Sequence, residues 1–588
     1  METFDSVYEE EIKCILEELQ NVTHLPGPIY QKLLRFKAEI LIDKSDEELL
    51  MILHLVESHI PGLRLRATVE CDSNIYEEKS HRSFMKKDYL NPFSCVKSDV
   101  QILLERVVEL PKEWTVIQLT PRFSSKNIFA INSDDLTLSG VHITVFNCGE
   151  KNENPYCVTL PAGNAFSIMG DMRKLKNNLK EIYSIPYKKV TEVMSTKSKK
   201  MYHKRRLEME DVLECLLREI EDTWLGAWKC LLIGKYEDNL LEINIRELVN
   251  VFLKEQSHES SSKKVQNILV QTAKYMLSTT EDESSIDKYM ATVLEYCFPG
   301  ENLKSSWNTF WNHHRIDIQN KGRHPVILII DEALDAFPWE MISTLNGQPS
   351  SRMSSLHLLY AMYKAHEDSI IGGYKIISSC NGNFILNPGL DLQLMEKRLK
   401  TFFDYWLPEW NGMAGKTPSS KEFLDALTAT EIFCYSGHGS GAQYCSSEKI
   451  QKEKIDSVVF LFGCGSTQLV EQGPSIEMYG TSQMYSLAAC PCLIGMLWVV
   501  TDIDTDVLTT NLLSTWIPNA NKTSWQLVNE REWIDKGIVS IDAMESKEIL
   551  NEPNLLKALC LAKNKMKHNC NKAAVVARGI PVKLKILL

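Results

Sequence analysis

The chain has 588 residues, a formal net charge of -12 and 16 cysteines. Its length predicts several domains, and its negative charge argues weakly against a protein whose whole surface binds nucleic acid. No apolar run reaches about 18 residues, so no transmembrane helix is expected. The acidic N-terminus lacks the basic start and apolar middle of a signal peptide. The scattered cysteines include no CxxC pair, a pattern typical of free thiols in a reducing cytosol or nucleus.

The first 85 residues have the apolar spacing of helices. Ile12, Ile15, Leu16 and Leu19 recur at helical intervals, and Leu49 to Leu55 is a second apolar block. We expect a small helical layer over residues 1–85.

From residue 86 to about 315 the sequence pattern changes from helical spacing to strand-like segments followed by charged helical ones. Trp114–Thr120 and Val141–Phe146 are typical of strands, and a charged helical stretch follows them. A polar, linker-like loop covers 256–263. A basic run between 188 and 206 is ordinarily a solvated face, with a nuclear-import signal or docking patch as the alternative. Its members are Lys188, Lys189, Lys197, Lys199, Lys200, Lys204, Arg205 and Arg206.

Residues 316–588 alternate short apolar runs with helical segments. The helical segments include Leu356–Ala365 and Leu392–Phe403. This alternation predicts an α/β domain with a mainly parallel sheet and helices on both faces. The predicted strands lie near Pro325–Ile330, Tyr374–Ser378, Asn383–Leu386, Cys434–Ser436, Val458–Phe462 and Cys492–Val500.

Two of these strands end in a reactive side chain among glycines. His438 lies in the segment Tyr435–Tyr444, and Cys464 follows Val458–Phe462. Reactive groups in open α/β sheets lie just beyond the carboxyl ends of strands, so the two meet if their strands are neighbours. A thiol within reach of an imidazole is the basic requirement of a cysteine nucleophile. The flanking glycines allow backbone N–H groups to approach a developing negative oxygen.

Other reactive motifs are incomplete. Ile327–Glu332 resembles the magnesium-binding strand of a P-loop NTPase, but Gly415–Thr417 follows that strand and Trp410 stands where the loop needs its first glycine. The segment around His438 resembles the nucleophile elbow of serine hydrolases, which requires serine at the central position. The spacing of Cys490 and Cys492 is too tight for a usual zinc site, so we expect no metal and no cofactor.

Several linked motifs resemble those of separase, the caspase-clan cysteine endopeptidase that opens cohesin at anaphase. The resemblance covers roughly residues 86–588. The departures are Val499 where the family usually has Asp, Gly465 where it usually has Ser, and a short N-terminal region like that of the fly form. The matching segments are Asp222–Trp228, Pro338–Glu340, Leu386–Pro388, Tyr435–Tyr444, Leu461–Cys464, Cys490–Asp506 and Ala573–Val582.

The resemblance implies a caspase-like catalytic domain over 316–588, preceded by an inactive protease-like domain over 86–315 with a helical insertion over about 165–300. It implies a His438/Cys464 dyad that forms a thioester intermediate. The backbone N–H groups of Gly439 and Cys464 are the candidates for the oxyanion hole. No third orienting residue is readable from the sequence.

Separases cut after Arg in a Glu-x-x-Arg context, so the first substrate pocket is expected to hold a carboxylate. Alignment on Trp498 makes Asp506 the first candidate, with Asp502 and Asp504 in reserve. The competing interpretation is that some of these residues only cap a helix beginning near Val507, because Asp is a favoured cap.

The resemblance also implies partners: securin as the inhibitor, the cohesin kleisin subunit as the substrate, and a separate helical subunit similar to the fly protein Three rows. It implies no membrane and no sequence-specific nucleic acid as partner, and a location in cytoplasm and nucleus, with chromosomes or the spindle region in mitosis. The alternatives are another caspase-clan peptidase and a scaffold with a vestigial dyad.

Overall fold

We describe a computed structural model of the chain. It describes residues 27–585 except 43, 74–84, 92, 94–96, 124–137, 152, 162–164, 186–193, 280, 315–317, 319–320, 474–475, 520–521 and 542–550. None of the helices within these ranges is long and apolar enough to cross a membrane.

The strands form one sheet of eleven and one of three. They are β1 (Thr115–Phe123), β2 (Leu138–Asn147), β3 (Tyr156–Pro161), β4 (Val326–Ile330), β5 (Ser350–Met353), β6 (Ile370–Ile371), β7 (Tyr374–Ile377), β8 (Gly382–Leu386), β9 (Asn411–Ala414), β10 (Ile432–Ser436), β11 (Val458–Phe462), β12 (Cys492–Met496), β13 (Val575–Gly579) and β14 (Val582–Leu584).

The large sheet has the order β3-β2-β1-β4-β5-β13-β12-β11-β10-β8-β9. Its antiparallel pairs are β2–β3, β1–β2 and β12–β13, and its other pairs are parallel. Because β12 and β13 run in opposite directions, the strands β1, β4, β5 and β13 end at one edge of the sheet, and β8 to β12 end at the other. The predicted α/β fold with a mainly parallel sheet is confirmed.

Helices cover both faces of the large sheet. Shorter 3-10 or π turns connect several elements, such as Glu219–Leu225 and Gly226–Leu232. The α-helices are Gly27–Leu41, Glu48–Glu57, Pro61–Ser73, Lys87–Leu90, Lys97–Glu109, Ala165–Tyr183, Thr196–Arg218, Asn239–Glu255, Lys263–Ser278, Glu283–Cys297, Lys304–His313, Leu356–His366, Gln393–Trp406, Ser420–Thr428, Ser447–Ile450, Thr481–Leu487, Asp502–Trp516, Glu530–Lys536, Leu555–Lys563 and Asn569–Ala574.

The central strands are buried along their whole length, which explains their near-continuous apolar sequences. In β4 all five residues are buried, and alternate side chains enter different cores. Ile327 and Ile329 join the core beneath the N-terminal helices, whereas Leu328 joins the core on the opposite face. Both faces of the sheet are therefore covered, as parallel strands require.

The N-terminal helices pack on the sheet as one layer. Leu53 and Leu55 of the helix Glu48–Glu57 share a core with Val116 of β1. This confirms the second predicted helical block, while Ile12 to Leu19 lies outside the described residues. Lys188 and Lys189 of the basic run also lie outside the described residues. The rest of the run, 197–206, lies in the helix Thr196–Arg218.

The large sheet continues across the predicted domain boundary near residue 315. β1, from the predicted inactive domain, pairs in parallel with β4, from the predicted catalytic domain. Trp224 also packs against Trp339 across this boundary, with ring centroids 5.9 Å apart. The division into 1–85, 86–315 and 316–588 stays a prediction.

Candidate active site

The segments that carry His438 and Cys464 leave neighbouring strands at the same level. β10 and β11 pair in parallel, and Ser436 at the end of β10 lies opposite Phe462 at the end of β11. His438 and Cys464 each follow two residues later, at equivalent positions on one edge of the sheet. The two reactive strands are therefore neighbours, which is the condition that the sequence analysis set for the two residues to meet.

The two loops touch at Gly463. A Cβ atom on Gly463 would lie 2.0 Å from the Gly439 carbonyl oxygen and 2.6 Å from that of Gly437. Such distances are sterically forbidden, so any side chain at this position would push the loops apart. Glycine at 463 therefore allows the loop of His438 to lie against the loop of Cys464.

His438 projects into solvent from a well-held backbone. Its side chain is 59% exposed, while its carbonyl oxygen accepts hydrogen bonds from the Tyr435 hydroxyl at 2.7 Å and from Gln443 Nε2 at 3.0 Å. Its ring atom Nε2 lies 3.0 Å from Oδ2 of Asp391. The imidazole is thus free to reach a substrate but is held on one side by a carboxylate.

Asp391 is a site residue that the sequence did not reveal. It follows the turn at Asn387, where Asn387 has a left-handed backbone with φ of 47°. The Asn387 side-chain oxygen accepts from the N–H groups of Asp391 at 3.0 Å and Leu392 at 2.9 Å. The Asn387 N–H donates to the Ser436 carbonyl at 2.9 Å, which ties the turn to the end of β10. The recognised Leu386–Pro388 motif was the available signal for this turn.

Cys464 is half-buried beside the chain that follows β12. Its sulfur lies 3.5 Å from both the N–H and the carbonyl oxygen of Val500, and the N–H of Gly465 donates to Trp498 at 3.0 Å. Burial raises the pKa of the Cys464 thiol, and the negative charge of Asp502 raises it further, while the N–H groups of Val500 and Cys464 lower it. The thiol therefore depends on a base for its activation.

One of the two predicted oxyanion donors, the Gly439 N–H, lies close to the loop that carries Cys464. Gly439 has a left-handed backbone with φ of 62°, and its N–H donates to no protein acceptor among the residues that the structure describes. A Cβ on Gly463 would lie 2.9 Å from this nitrogen, so Gly439 and the Cys464 loop share one small space. The N–H groups of Gly439 and Cys464 remain the predicted oxyanion hole.

The three acidic candidates differ in accessibility. Asp506 is buried, with 2% of its side chain exposed, and accepts from Nε of Arg398 at 2.6 Å. Asp504 accepts from Nδ2 of Asn571 at 2.6 Å and from the Lys567 N–H at 3.1 Å. Asp502 has 36% of its side chain exposed. Of these three carboxylates, only that of Asp502 reaches the surface.

Asp502 is linked to the interior by Arg398. Nη2 of Arg398 donates to Oδ2 of Asp502 at 2.9 Å, and Oδ1 of Asp502 has no protein donor among the described residues. The helix containing these residues begins at Asp502, not near Val507. The expected cap position was therefore wrong, because the helix starts directly after Thr501, and Asp502 and Asp504 both occupy its first turn.

The comparisons with known proteins agree with this architecture. The family model described as the separin protease domain matches residues 142–505. The chain belongs to the separin (separase) family. The matched range contains β10, β11, His438, Cys464 and Asp502.

Among full-length relatives, Separin of Schizosaccharomyces pombe is 25% identical over 458 residues, which cover 72% of this chain and 24% of that protein. Separin of Mus musculus is 27% identical over 373 residues, which cover 63% of this chain and 17% of that protein. The chain thus spans about a quarter or less of the length of these relatives. The Saccharomyces cerevisiae separase in a crystal structure of the separase-securin complex is similar in fold, with a TM-score of 0.72, 17% identity, and coverage of 99% of this chain and 38% of that one.

Proposed function

We propose that this chain is a cysteine endopeptidase that cleaves the kleisin subunit of cohesin after Arg in a Glu-x-x-Arg context, and so releases sister chromatids at anaphase. The observation that carries the proposal is the placement of His438 and Cys464 at equivalent positions beyond β10 and β11, with their loops in contact at Gly463. Membership of the separin protease-domain family supports the same chemistry.

The reaction follows from the two side chains. His438 removes the proton of the Cys464 thiol, and the thiolate attacks the scissile carbonyl carbon. The negative oxygen of the tetrahedral intermediate accepts from the N–H groups of Gly439 and Cys464. The C–N bond then breaks, His438 gives its proton to the leaving amine, and a thioester remains. Water, deprotonated by His438, hydrolyses the thioester and frees the thiol.

Asp502 is the carboxylate that we propose for the substrate arginine. It lies two residues after Val500, whose N–H and carbonyl oxygen are 3.5 Å from the Cys464 sulfur, and 36% of its side chain is exposed. The buried Arg398 donates from Nη2 to Oδ2 of this carboxylate at 2.9 Å. The other oxygen, Oδ1, is therefore available to the guanidinium of a substrate arginine. Asp506, the first candidate from sequence, supports the pocket through Arg398 in this proposal.

Partners follow from the relatives. The yeast separase of similar fold was solved in complex with securin, and we propose a securin-like inhibitor for this chain. An extended inhibitor or kleisin segment would bind by main-chain hydrogen bonds and side-chain pockets. A separate helical subunit, and a location in cytoplasm and nucleus with chromosomes or the spindle region in mitosis, belong to the same proposal.

The direct test is cleavage of a kleisin peptide containing Glu-x-x-Arg by the chain freed of inhibitor. Wild type is expected to cut after Arg, and Cys464→Ser and His438→Ala are expected to lose cleavage while keeping the circular dichroism and melting temperature of the wild type. A matched peptide with Lys or Gln in place of Arg controls for specificity. Equal cutting by wild type and Cys464→Ser would contradict the proposal.

The role of Asp502 has a separate signature. Asp502→Asn should lower kcat/KM for the Arg peptide by about 10- to 100-fold, the usual contribution of a charge-assisted hydrogen bond. The same variant should react faster with iodoacetamide at Cys464 at a given pH, because the charge that raises the pKa of Cys464 is gone. Asp404→Asn, an exposed aspartate whose partner is Lys400 of the same helix, is the control. A slower alkylation of Asp502→Asn would contradict the proximity of Asp502 to Cys464.

A further inference from the structure

We propose that Asp391 is the positioning residue of this site: it orients the His438 ring and fixes its tautomer, so that Nδ1 of His438 is the atom that takes the proton from Cys464. The inference rests on the proposed function, because it assigns a role within the same reaction. It starts from the distance of 3.0 Å between Nε2 of His438 and Oδ2 of Asp391.

The chemistry of the two groups decides the tautomer. An ionised carboxylate only accepts hydrogen bonds, whereas a neutral imidazole has one nitrogen that donates and one that accepts. Nε2 of His438 therefore carries the proton when it bonds to Asp391, and the lone pair is on Nδ1. A general base needs that lone pair on the nitrogen facing its substrate proton. The hydrogen bond to Asp391 thus makes His438 competent as a base in one orientation of its ring.

Hydrogen bonds within the turn after β8 hold the backbone of Asp391 in place, in addition to the contact that its side chain makes with His438. Asn387 holds the N–H of Asp391 with its Oδ1 and donates its own Nδ2 to Glu396 at 2.6 Å. Thr417 Oγ1 donates to the Pro388 carbonyl at 2.7 Å, which fixes the other side of the turn. Three hydrogen bonds therefore hold the turn that carries Asp391.

The same turn is tied to the strand that carries His438. β8 and β10 pair in parallel, and Leu386 lies opposite Ser436. The Asn387 N–H donates to the Ser436 carbonyl, two residues before His438. The backbone of Asp391 is thus tied to the strand of His438 by a short path of hydrogen bonds through Asn387, which is what a positioning residue requires.

The solvent exposure of His438 and Asp391 determines how much their hydrogen bond contributes to stability and to catalysis. Both side chains are open to water, with 59% of His438 and 60% of Asp391 exposed, so the pair adds little to the free energy of unfolding. Its contribution is to catalysis, where a general acid–base group is worth about 10²- to 10⁴-fold in rate. Loss of the orienting carboxylate should cost about the lower limit of this range.

The first experiment measures kinetics of Asp391→Asn with the Glu-x-x-Arg peptide. Asparagine has the same shape but can also donate to Nε2, which stabilises the wrong tautomer. We expect kcat to fall about 10²-fold with KM little changed, and Asp391→Glu to recover part of the loss. The melting temperature should stay at the wild-type value. Asp404→Asn, an exposed aspartate on the helix that follows this turn, should keep full activity.

The second experiment reads the tautomer without any activity. The protein is labelled with ¹⁵N-histidine, and the His438 signals are assigned from the spectrum of His438→Gln. At about pH 9, above the ordinary imidazole pKa of about 6.5, wild type should show a protonated Nε2 and an unprotonated Nδ1 for His438. Asp391→Asn should show a mixture of both tautomers.

The two experiments separate the inference from the proposed function. If wild type cuts no peptide but its His438 shows the Nε2–H tautomer that Asp391→Asn loses, the orienting role holds and the proposed substrate fails. If wild type cuts and Asp391→Asn cuts with the same kcat, the inference is overturned while the endopeptidase stands. An Nδ1–H tautomer in wild type would also overturn it.

Discussion

Polar side chains follow the strands at both edges of the large sheet, but they are buried at one edge and exposed to solvent at the other. At one edge Asp331 and Glu332 directly follow β4, and at the other His438 and Cys464 lie two residues beyond β10 and β11. Asp331 is paired with Arg35 of the first described helix, and their side chains are 2% and 6% exposed. His438 is 59% exposed. We call the first the closed edge and the second the open edge.

The closed edge is covered by the N-terminal helices and by the chain that follows Cys464. Glu477 accepts from the N–H groups of Gly62 at 2.6 Å and Leu63 at 3.0 Å, at the start of the helix Pro61–Ser73. Glu332 accepts from the Met478 N–H at 2.8 Å. Burial and the carboxylates of Asp331 and Glu477 raise the pKa of Glu332. The comparison shows that carboxylates directly after a strand, such as Asp331 and Glu332, have a structural role where helices cover that end of the sheet.

The largest expected effect is on the closed edge. Asp331→Ala leaves the Arg35 guanidinium buried without its partner, which typically costs about 3–5 kcal/mol. Urea unfolding at neutral pH should show this loss, while peptide cleavage at low temperature should change little, because Asp331 lies at the edge opposite the site.

Asp404→Ala is the matched control for Asp331→Ala. Its carboxylate is 62% exposed and pairs with Lys400, so its removal should change the free energy of unfolding by less than about 0.5 kcal/mol. Equal losses for the two variants would contradict the description of the closed edge.

The next effect is on the open edge. Gly463→Ala places a Cβ 2.0 Å from the Gly439 carbonyl oxygen, so the loops of His438 and Cys464 must separate. Because a misplacement of about 1 Å can cost about 10²-fold in rate, we expect a loss of that size in kcat/KM.

Gly170→Ala is the matched control for Gly463→Ala, since a Cβ there meets nothing within 4 Å. It lies in the helix Ala165–Tyr183, and alanine should stabilise that helix by up to about 1 kcal/mol. If Gly463→Ala retained full activity, the close approach of the two loops would not matter for the reaction.

The smallest effect is the pH dependence of the closed edge. His59 is fully buried and bonds through Nε2 to Oγ1 of Thr120 at 2.8 Å. Burial lowers the pKa of His59 from 6.5 to about 4. Below pH 6.5 His59 therefore binds a proton in the unfolded chain but not in the folded chain. The free energy of unfolding thus decreases as the pH is lowered from 6.5 to 4.

His59→Asn should remove this contribution, which amounts to about 1.5 kcal/mol between pH 6.5 and pH 5. The measurement is the difference in urea unfolding free energy at these two pH values for wild type and variant. A variant with the wild-type pH slope would show that His59 is already protonated in the fold.

The sequence predicted those parts of the fold that depend on local pattern. The apolar runs of β4, β10 and β11 indicated buried strands, and the glycines around His438 and Cys464 indicated a backbone that can come close to a ligand. The helix starting at Asp502 was placed five residues late, because Asp is equally favoured as a cap and in a first turn.

The missed features depend on contacts between distant parts of the chain. Asp391 lies 47 residues before His438, and Arg398 lies 108 residues before Asp506. No local pattern marks an aspartate as the partner of a histidine so far along the chain. The turn at Asn387 was recognisable, but its direction toward His438 follows from the pairing of β8 with β10, which the sequence did not specify.

The most direct test of the central claim is covalent labelling by an arginyl acyloxymethyl ketone, mapped by mass spectrometry over all 16 cysteines. The account predicts a single adduct on Cys464 that is slow in His438→Ala and absent in Cys464→Ser. The exposed thiols of Cys215 and Cys380 serve as internal controls and should stay unmodified. No adduct on Cys464, or equal adducts on Cys215 and Cys380, would contradict a nucleophile activated by His438.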